Sequence, residues 1–425
     1  MAANSPAESP APPAHPSTLV RLLTVDDARR RIDALIRPVV PHERAALRAS
    51  LGRVLAEPVV ATVDVPPHPN SAMDGYAARS ADIPSEGESR ALRLIGHSLA
   101  GAPFSGQVGP GECVRILTGA VVPAGADAVI IQEVVEPAGD SVRVPGGVRA
   151  GDNVRYPGQD VRAGDAVLAT GVRLHPAHLG VLASVGVVEV TVHRRPKVAF
   201  FSTGDELRGA GEALGPGQIF DSNRYTLFGM LRRIGVDALD LGVVRDRRED
   251  VRRAIEGAAA VADAIVTSGG VSVGDTDYVR ETLAEIGQVD FWRIAMKPGK
   301  PLAVGRVGAA SFFGLPGNPV SAMVTFYQFV QPALRRLAGE LDVAPLHVRA
   351  RCEVRLVKQP GRLEFQRGIL RSDAGGNLGV TTAGLQDSHV LSAMARANCF
   401  IILPLESAGV EPGDTVVVQP FEGLV

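Results

Sequence analysis

Between residues 197 and 337, short apolar runs alternate with helical patterns, and this alternation constrains the fold more than any other feature of the chain. Residues 197–201 read as a fully buried strand that ends in the turn Ser202-Thr203-Gly204-Asp205. A helix follows from about Asn223, with Ser222 as its expected cap, Asp221 capping or positioning the same turn, and Gly235 closing it. A strand over 238–244, a helix over 248–259, a strand over 264–267 and a helix after Asp277 continue the series. Strands over 291–295, 302–304 and 311–313 then lead into one long helix over 319–337. Such an order predicts a mostly parallel sheet covered on both faces, with ligands beyond the carboxyl ends of its strands.

Three Gly-rich turns fall at those carboxyl ends. They are Ser202-Thr203-Gly204-Asp205-Glu206, the stretch from Thr267-Ser268-Gly269-Gly270 through Ser272 and Gly274 to Asp275, and Gly314-Leu315-Pro316-Gly317-Asn318-Pro319. Any one alone reads as an ordinary tight turn. Three on one sheet edge form a concavity whose backbone N–H groups suit an anion. Neither GxxxxGK[ST] nor GxGxxG is present. Beside these turns stand Lys297 and Lys300, in Met296-Lys297-Pro298-Gly299-Lys300-Pro301. Of 44 basic residues only Lys197, Lys297, Lys300 and Lys358 are lysine. An indifferent surface position in this chain would carry Arg, so the paired ammonium groups point to a phosphate or another oxyanion. Asp205, Glu206, Asp221, Asp246, Asp275 and Asp277 cluster on the same edge, and Glu206, Asp246 and Asp277 have no evident capping partner. They are the candidates for acid–base work or for Mg²⁺.

The remaining chain divides around this region. A chain of 425 residues is too long for one core. Residues 1–17 read as a disordered tail without a signal peptide's features. Residues 18–60 and 154–195 are expected to form a discontinuous linker domain, with a helix over 24–36 capped by Thr24 and another over 176–184. Residues 61–153 form an inserted β module, residues 196–341 the α/β domain, and residues 342–425 a C-terminal β domain, either a small barrel or a sandwich. The net charge of −2 offers no general attraction to nucleic acid or to an acidic membrane, and no apolar run is long enough to span one. Cys113, Cys352 and Cys399 have no zinc-like spacing and suit a reducing cytoplasm as buried thiols.

Taken in order, eight short stretches resemble the molybdopterin molybdenumtransferase family, the relatives of the E domain of gephyrin. They are Asn70-Ser-Ala-Met-Asp-Gly-Tyr-Ala77, Arg115-Ile-Leu-Thr-Gly119, Gly158-Gln-Asp-Val161, Ser202-Thr-Gly-Asp-Glu-Leu207, Asp221-Ser-Asn223, the stretch from Thr267 to Asp275, Lys297-Pro-Gly-Lys-Pro301 and Leu315-Pro-Gly-Asn-Pro-Val320. The resemblance implies a multi-domain α/β protein with a molybdopterin-binding sheet domain and a C-terminal β-barrel-like domain. It implies molybdenum insertion into adenylylated molybdopterin, with molybdate as second substrate, Mg²⁺ as cofactor and AMP released.

A homodimer is also implied, in which Asp74 and Thr118 of one copy face Glu206, Asp246, Asp277 and Lys297 of the other. By the same resemblance Asp160 is catalytic, and Pro316, Pro319 and Ser388 shape the substrate pocket with Thr203, Ser268, Gly269, Gly270, Ser272, Gly274, Gly317, Asn318 and Lys300. Arg293 stands where the family often has a second functional lysine, and it would bind an oxyanion through a planar fork. Other molybdenum cofactor enzymes are possible partners. Two other functions fit parts of the sequence: a molybdopterin adenylyltransferase, which shares the α/β domain, and a non-catalytic gephyrin-like scaffold. The β module and the C-terminal domain argue against the first, and the intact carboxylate and lysine set against the second.

Overall fold

The computed structural model describes residues 22–39, 41–270 and 278–421. The expected tail and the positions Ser272, Gly274, Asp275 and Asp277 lie outside the described residues. The chain divides into two compact units, one of residues 1–39, 195–338 and 343–425, the other of residues 40–194 and 339–342.

In the first unit a six-stranded sheet runs in the order Asp237–Val244, Lys197–Thr203, Ala264–Ser268, Ala310–Leu315, Pro301–Val307, Gln288–Arg293. The first four strands are parallel; the last two join antiparallel at one edge. The unbroken apolar run Val198-Ala199-Phe200-Phe201 follows from this position between two helical layers. Val198 and Phe200 point into a core shared with helices Ser222–Arg233 and Pro319–Thr325, whereas Ala199 and Phe201 point into a second core beneath Arg248–Val261 and Tyr278–Ile286. Burying each phenylalanine contributes about 2–3 kcal/mol.

Three local expectations change. The cap of Ser222–Arg233 is Asp221, whose carboxylate accepts from the Arg224 N–H at 3.1 Å, and Ser222 is already helical. The long helix is interrupted: Pro319–Thr325 and Gln331–Leu337 flank the π turn Phe326–Val330. Pro332 has no N–H to give the Gln328 carbonyl; Nε of Arg29 approaches that oxygen at 3.4 Å, and Nη2 donates to the Gln328 side chain at 2.5 Å. Helix Val25–Leu35, capped by Thr24 as expected, does not group with the linker segment. Its buried face, Val25, Ala28 and Ile32, belongs to the same core as Trp292 and Phe329.

Residues 343–421 form a closed five-stranded barrel, with Leu363–Ser372 pairing both Leu378–Thr382 and Cys399–Leu403. In the second unit His42–Ala46 pairs with Glu189–His193, and Val59–Val60 with Ala166–Leu168. A separate six-stranded sheet holds Gly75–Ala78 between Ala128–Ile131 and Glu112–Ile116. Gly75 is the residue this packing demands, because a Cβ would collide with the Ile130 carbonyl oxygen. All three cysteines are buried, and burial pushes the thiols of Cys113 and Cys399 up to about 12. No described helix is long and apolar enough to cross a membrane.

Candidate functional site

Because Lys197–Thr203, Ala264–Ser268 and Ala310–Leu315 are parallel neighbours, their carboxyl ends lie side by side, with Ser202 opposite Ser268 and Ser268 opposite Leu315. The three Gly-rich turns therefore share one edge. Gly269 and Gly270 have φ of +92° and +66°. A Cβ on Gly269 would meet the Thr203 carbonyl oxygen at 2.6 Å, so the second turn is packed down onto the first. Gly317 differs: the nearest atom to an added Cβ there is the Gly269 Cα, at 3.9 Å. That space opens into a cleft of about 950 Å³.

The cleft brings most of the expected residues together. Thr203, Glu206 and Asp246 form one wall, Ser268, Gly269 and Gly270 the floor, and Pro316, Gly317, Asn318 and Pro319 a second wall. Lys297 and Lys300 enter from the turn after the antiparallel edge, and Ser388 from the barrel. Asn318 Nδ2 donates to Ser388 Oγ at 3.1 Å, which fastens the barrel loop to the Pro-flanked turn. Arg293 is not on this wall. It ends the edge strand opposite Pro301, with its carbonyl accepting from the Leu23 N–H at 2.9 Å, and it is not among the residues lining the cleft.

The acidic side is crowded. Asp205 Oδ1 accepts from the Asp246 N–H at 3.2 Å. Burial pushes the Asp246 carboxyl above the usual carboxylate range, and the charges of Asp205 and Glu206 push it further. Among the described residues, no three of His, Cys, Asp and Glu are grouped closely enough to hold a metal ion by themselves.

Several lining residues were not among the candidates read from the sequence. Asn223 donates from Nδ2 to Ser268 Oγ at 2.8 Å and to the Gly317 carbonyl at 2.7 Å, tying two turns together. Ile219 and Phe220 present half-exposed apolar surface at the rim, and Arg362, Gln386, Asp387 and His389 come from the barrel. Of these, Asn223 alone belongs to a sequence motif, the stretch Asp221-Ser-Asn223. The barrel residues could not be read from the sequence, because nothing local marks a contact made across so much intervening chain.

In the second unit, Asp74 and Thr118 meet at the ends of adjacent strands. Asp74 Oδ1 accepts from both the N–H and the hydroxyl of Thr118, each at 2.7 Å. Asp160 is exposed on a loop whose backbone bonds to Val65.

Comparison with known proteins agrees with this architecture along the chain. Residues 23–186 match the MoeA N-terminal region (domain I and II), residues 199–336 a "probable molybdopterin binding domain", and residues 349–421 the MoeA C-terminal region (domain IV). A molybdopterin molybdenumtransferase of Haemophilus influenzae is 42% identical over 95% of this chain and 100% of its own length. One from a Nostoc species is 37% identical over 88% of this chain and 87% of its own. The crystal structure of the molybdopterin biosynthesis MoeA protein from Pyrococcus horikoshii superposes with a TM-score of 0.82 at 29% identity, covering 94% of this chain and all of that one. With its three regions in MoeA order and its cleft in the molybdopterin-binding region, the chain belongs to the MoeA family of molybdopterin molybdenumtransferases.

Proposed function

We infer that this chain is an enzyme that inserts molybdenum into molybdopterin, the activity carried in the name of its relatives. We further propose that molybdopterin binds as its adenylylated form, that molybdate is the second substrate and that AMP is released. The observation that carries the reading is the cleft itself. Glycine turns open to a phosphate at Gly317, paired ammonium groups at Lys297 and Lys300, and carboxylates at Glu206 and Asp246 line one cavity. Phosphate groups bind along the turns at 268–270 and 315–319, with Ser388 and Thr203 as hydroxyl partners. The lysines hold the oxyanion by charge, which stabilises developing negative charge where water is partly excluded.

The donor set fits Mg²⁺. Glu206 and Asp246 offer hard oxygen ligands, the raised Asp246 carboxyl marks charge that a divalent cation relieves, and Asp277, outside the described residues, is the third proposed ligand. Bound there, Mg²⁺ would neutralise phosphate oxygens and so favour departure of AMP. The active form we propose is a homodimer in which Asp74 and Thr118 serve the partner's cleft. Exposed Met73 and Leu117 beside them supply apolar surface for such an assembly. Asp160 is assigned a catalytic part on the family resemblance. The free thiols suit a cytoplasmic site of action, and other molybdenum cofactor enzymes are proposed as partners.

The test is AMP release from adenylylated molybdopterin with and without molybdate. Release should require molybdate and fall about 100-fold or more in Lys297→Ala. Formation of the adenylate from molybdopterin and MgATP, with no molybdate-dependent release, would identify an adenylyltransferase instead. Peptide binding without turnover would identify a scaffold.

A further inference from the structure

Glu364 is a buried carboxylate beside the cleft that none of the motifs includes. It lies on the barrel strand Leu363–Ser372, and its side chain is 6% exposed. Its Oε1 stands 3.1 Å from Nζ of Lys297, whose side chain is 49% exposed. Its Oε2 accepts from Gln366 Nε2 at 3.0 Å, and the same amide also donates to the Val357 carbonyl at 3.1 Å. The carboxylate is therefore held by a side chain that is itself tied to the barrel backbone. The two strands agree in register as well: Met296–Lys297 pairs parallel with the start of Leu363–Ser372, Lys297 opposite Glu364.

An unanchored lysine on a wide cleft spreads over many rotamers and loses side-chain entropy when it is fixed. Here much of that loss is already met in the folded protein, because the carboxylate end of the ion pair is buried and held by Gln366. The pair also leaves the ammonium formally neutralised, so an incoming anion must share Lys297 with Glu364. We propose that Glu364 is a positioning residue for the reaction: it aims the Lys297 ammonium into the cleft and moderates its hold on anions. This rests on the assignment of Lys297 to molybdenum insertion made above.

Positioning and simple packing predict different kinetics. In Glu364→Gln the ammonium keeps its charge but loses its anchor. Anions then bind as tightly or more tightly, while the share of complexes with Nζ correctly placed drops. The measurement is molybdate-dependent AMP release by the full chain, with kcat and KM for molybdate determined separately and thermal melting recorded for each variant. For Glu364→Gln, kcat should fall on the order of 10- to 100-fold with KM unchanged or lower. Glu364→Asp, which keeps the charge, should recover most of kcat. Unchanged kcat in Glu364→Gln would overturn the proposal, as would a parallel loss of kcat and melting temperature that Glu364→Asp fails to repair. Lys297→Ala is measured alongside. Full turnover there removes the Lys297 assignment itself, whereas a collapsed Lys297→Ala beside a fully active Glu364→Gln removes only the positioning role.

Discussion

One oxygen of Asp74 accepts two hydrogen bonds from a single residue, the backbone N–H and the hydroxyl of Thr118, each at 2.7 Å. The N–H first, and the hydroxyl after it, hold the Asp74 carboxyl below the usual carboxylate range. A depressed carboxyl contributes stability that is present above its unfolded value and lost as pH falls through the folded one. The contribution is thus complete at neutral pH, and its loss is confined to acid pH, below about 4. Thr118→Val removes the hydroxyl and keeps the N–H, so the Asp74 pKa should rise part of the way toward its ordinary value. A carboxyl-carbon NMR titration of the two proteins measures this, and an unmoved Asp74 would mean that the hydroxyl contributes nothing.

Asp246 should behave in the opposite sense. Its carboxyl is raised, by burial first and by Asp205 and Glu206 second. Stability linked to a raised carboxyl is fully present below the unfolded value and is lost as pH rises through the folded one. At neutral pH the ionised group therefore costs stability. Asp246→Asn should melt higher than wild type near pH 7 and lose that advantage near about pH 4. Equal melting differences at both pH values would contradict the assignment. In the same assay Mg²⁺ should raise the wild-type melting temperature and should do so less in Glu206→Gln.

The glycines of the cleft should separate into two kinds. Gly269→Ala forces a Cβ to within 2.6 Å of the Thr203 carbonyl oxygen at a φ of +92°, and should cost about 1–3 kcal/mol or more in denaturant unfolding. Gly317→Ala meets nothing closer than 3.9 Å, so unfolding should be nearly unchanged. Its methyl group would occupy space in the cleft, so KM for adenylylated molybdopterin should rise. A Gly317→Ala protein with wild-type KM would show that no substrate atom approaches that turn.

Lys358 offers a test away from the cleft. Its Nζ, on a side chain buried in the barrel, donates to the carbonyls of Gln359, Leu405 and Ser407 at 3.3, 3.1 and 3.0 Å. Three diverging donors on one atom suit an ammonium group better than a planar guanidinium. Lys358→Met should destabilise the protein by about 3 kcal/mol by leaving the Gln359 and Ser407 carbonyls without that donor, the Leu405 carbonyl keeping the Gly361 N–H, and Lys358→Arg should not restore it. Chemical denaturation of both variants decides the matter.

The scarcity of lysine was informative beyond what local reading could extract. Lys297 and Lys300 stand out beside the glycine turns, and the structure places both on the cleft. Lys358 was equally conspicuous by number, yet two of its three carbonyl partners, Leu405 and Ser407, lie almost fifty residues away in a segment that no local pattern connects to it. The same holds for Glu364, which reads only as an acidic residue in a strand until its register opposite Lys297 is known. The break at Phe326–Val330 could be suspected from Pro332, but the support given by Arg29 to Gln328 could not.

By itself the sequence determined the alternation of strands and helices, the parallel sheet with both faces covered, and the three glycine turns at the strand ends. Those features follow from periodicity, turn chemistry and chain connectivity, all of which act over a few residues. Only the tertiary structure decided which side chains face the cleft. Arg293 is not among the residues that line it, whereas Arg362, Gln386 and His389 arrive from a closed barrel. Glu364 acquires its partner across a strand pairing that joins distant parts of the chain. Long-range register and burial set these relationships, and no local pattern of residue types encodes which distant strand will be the neighbour.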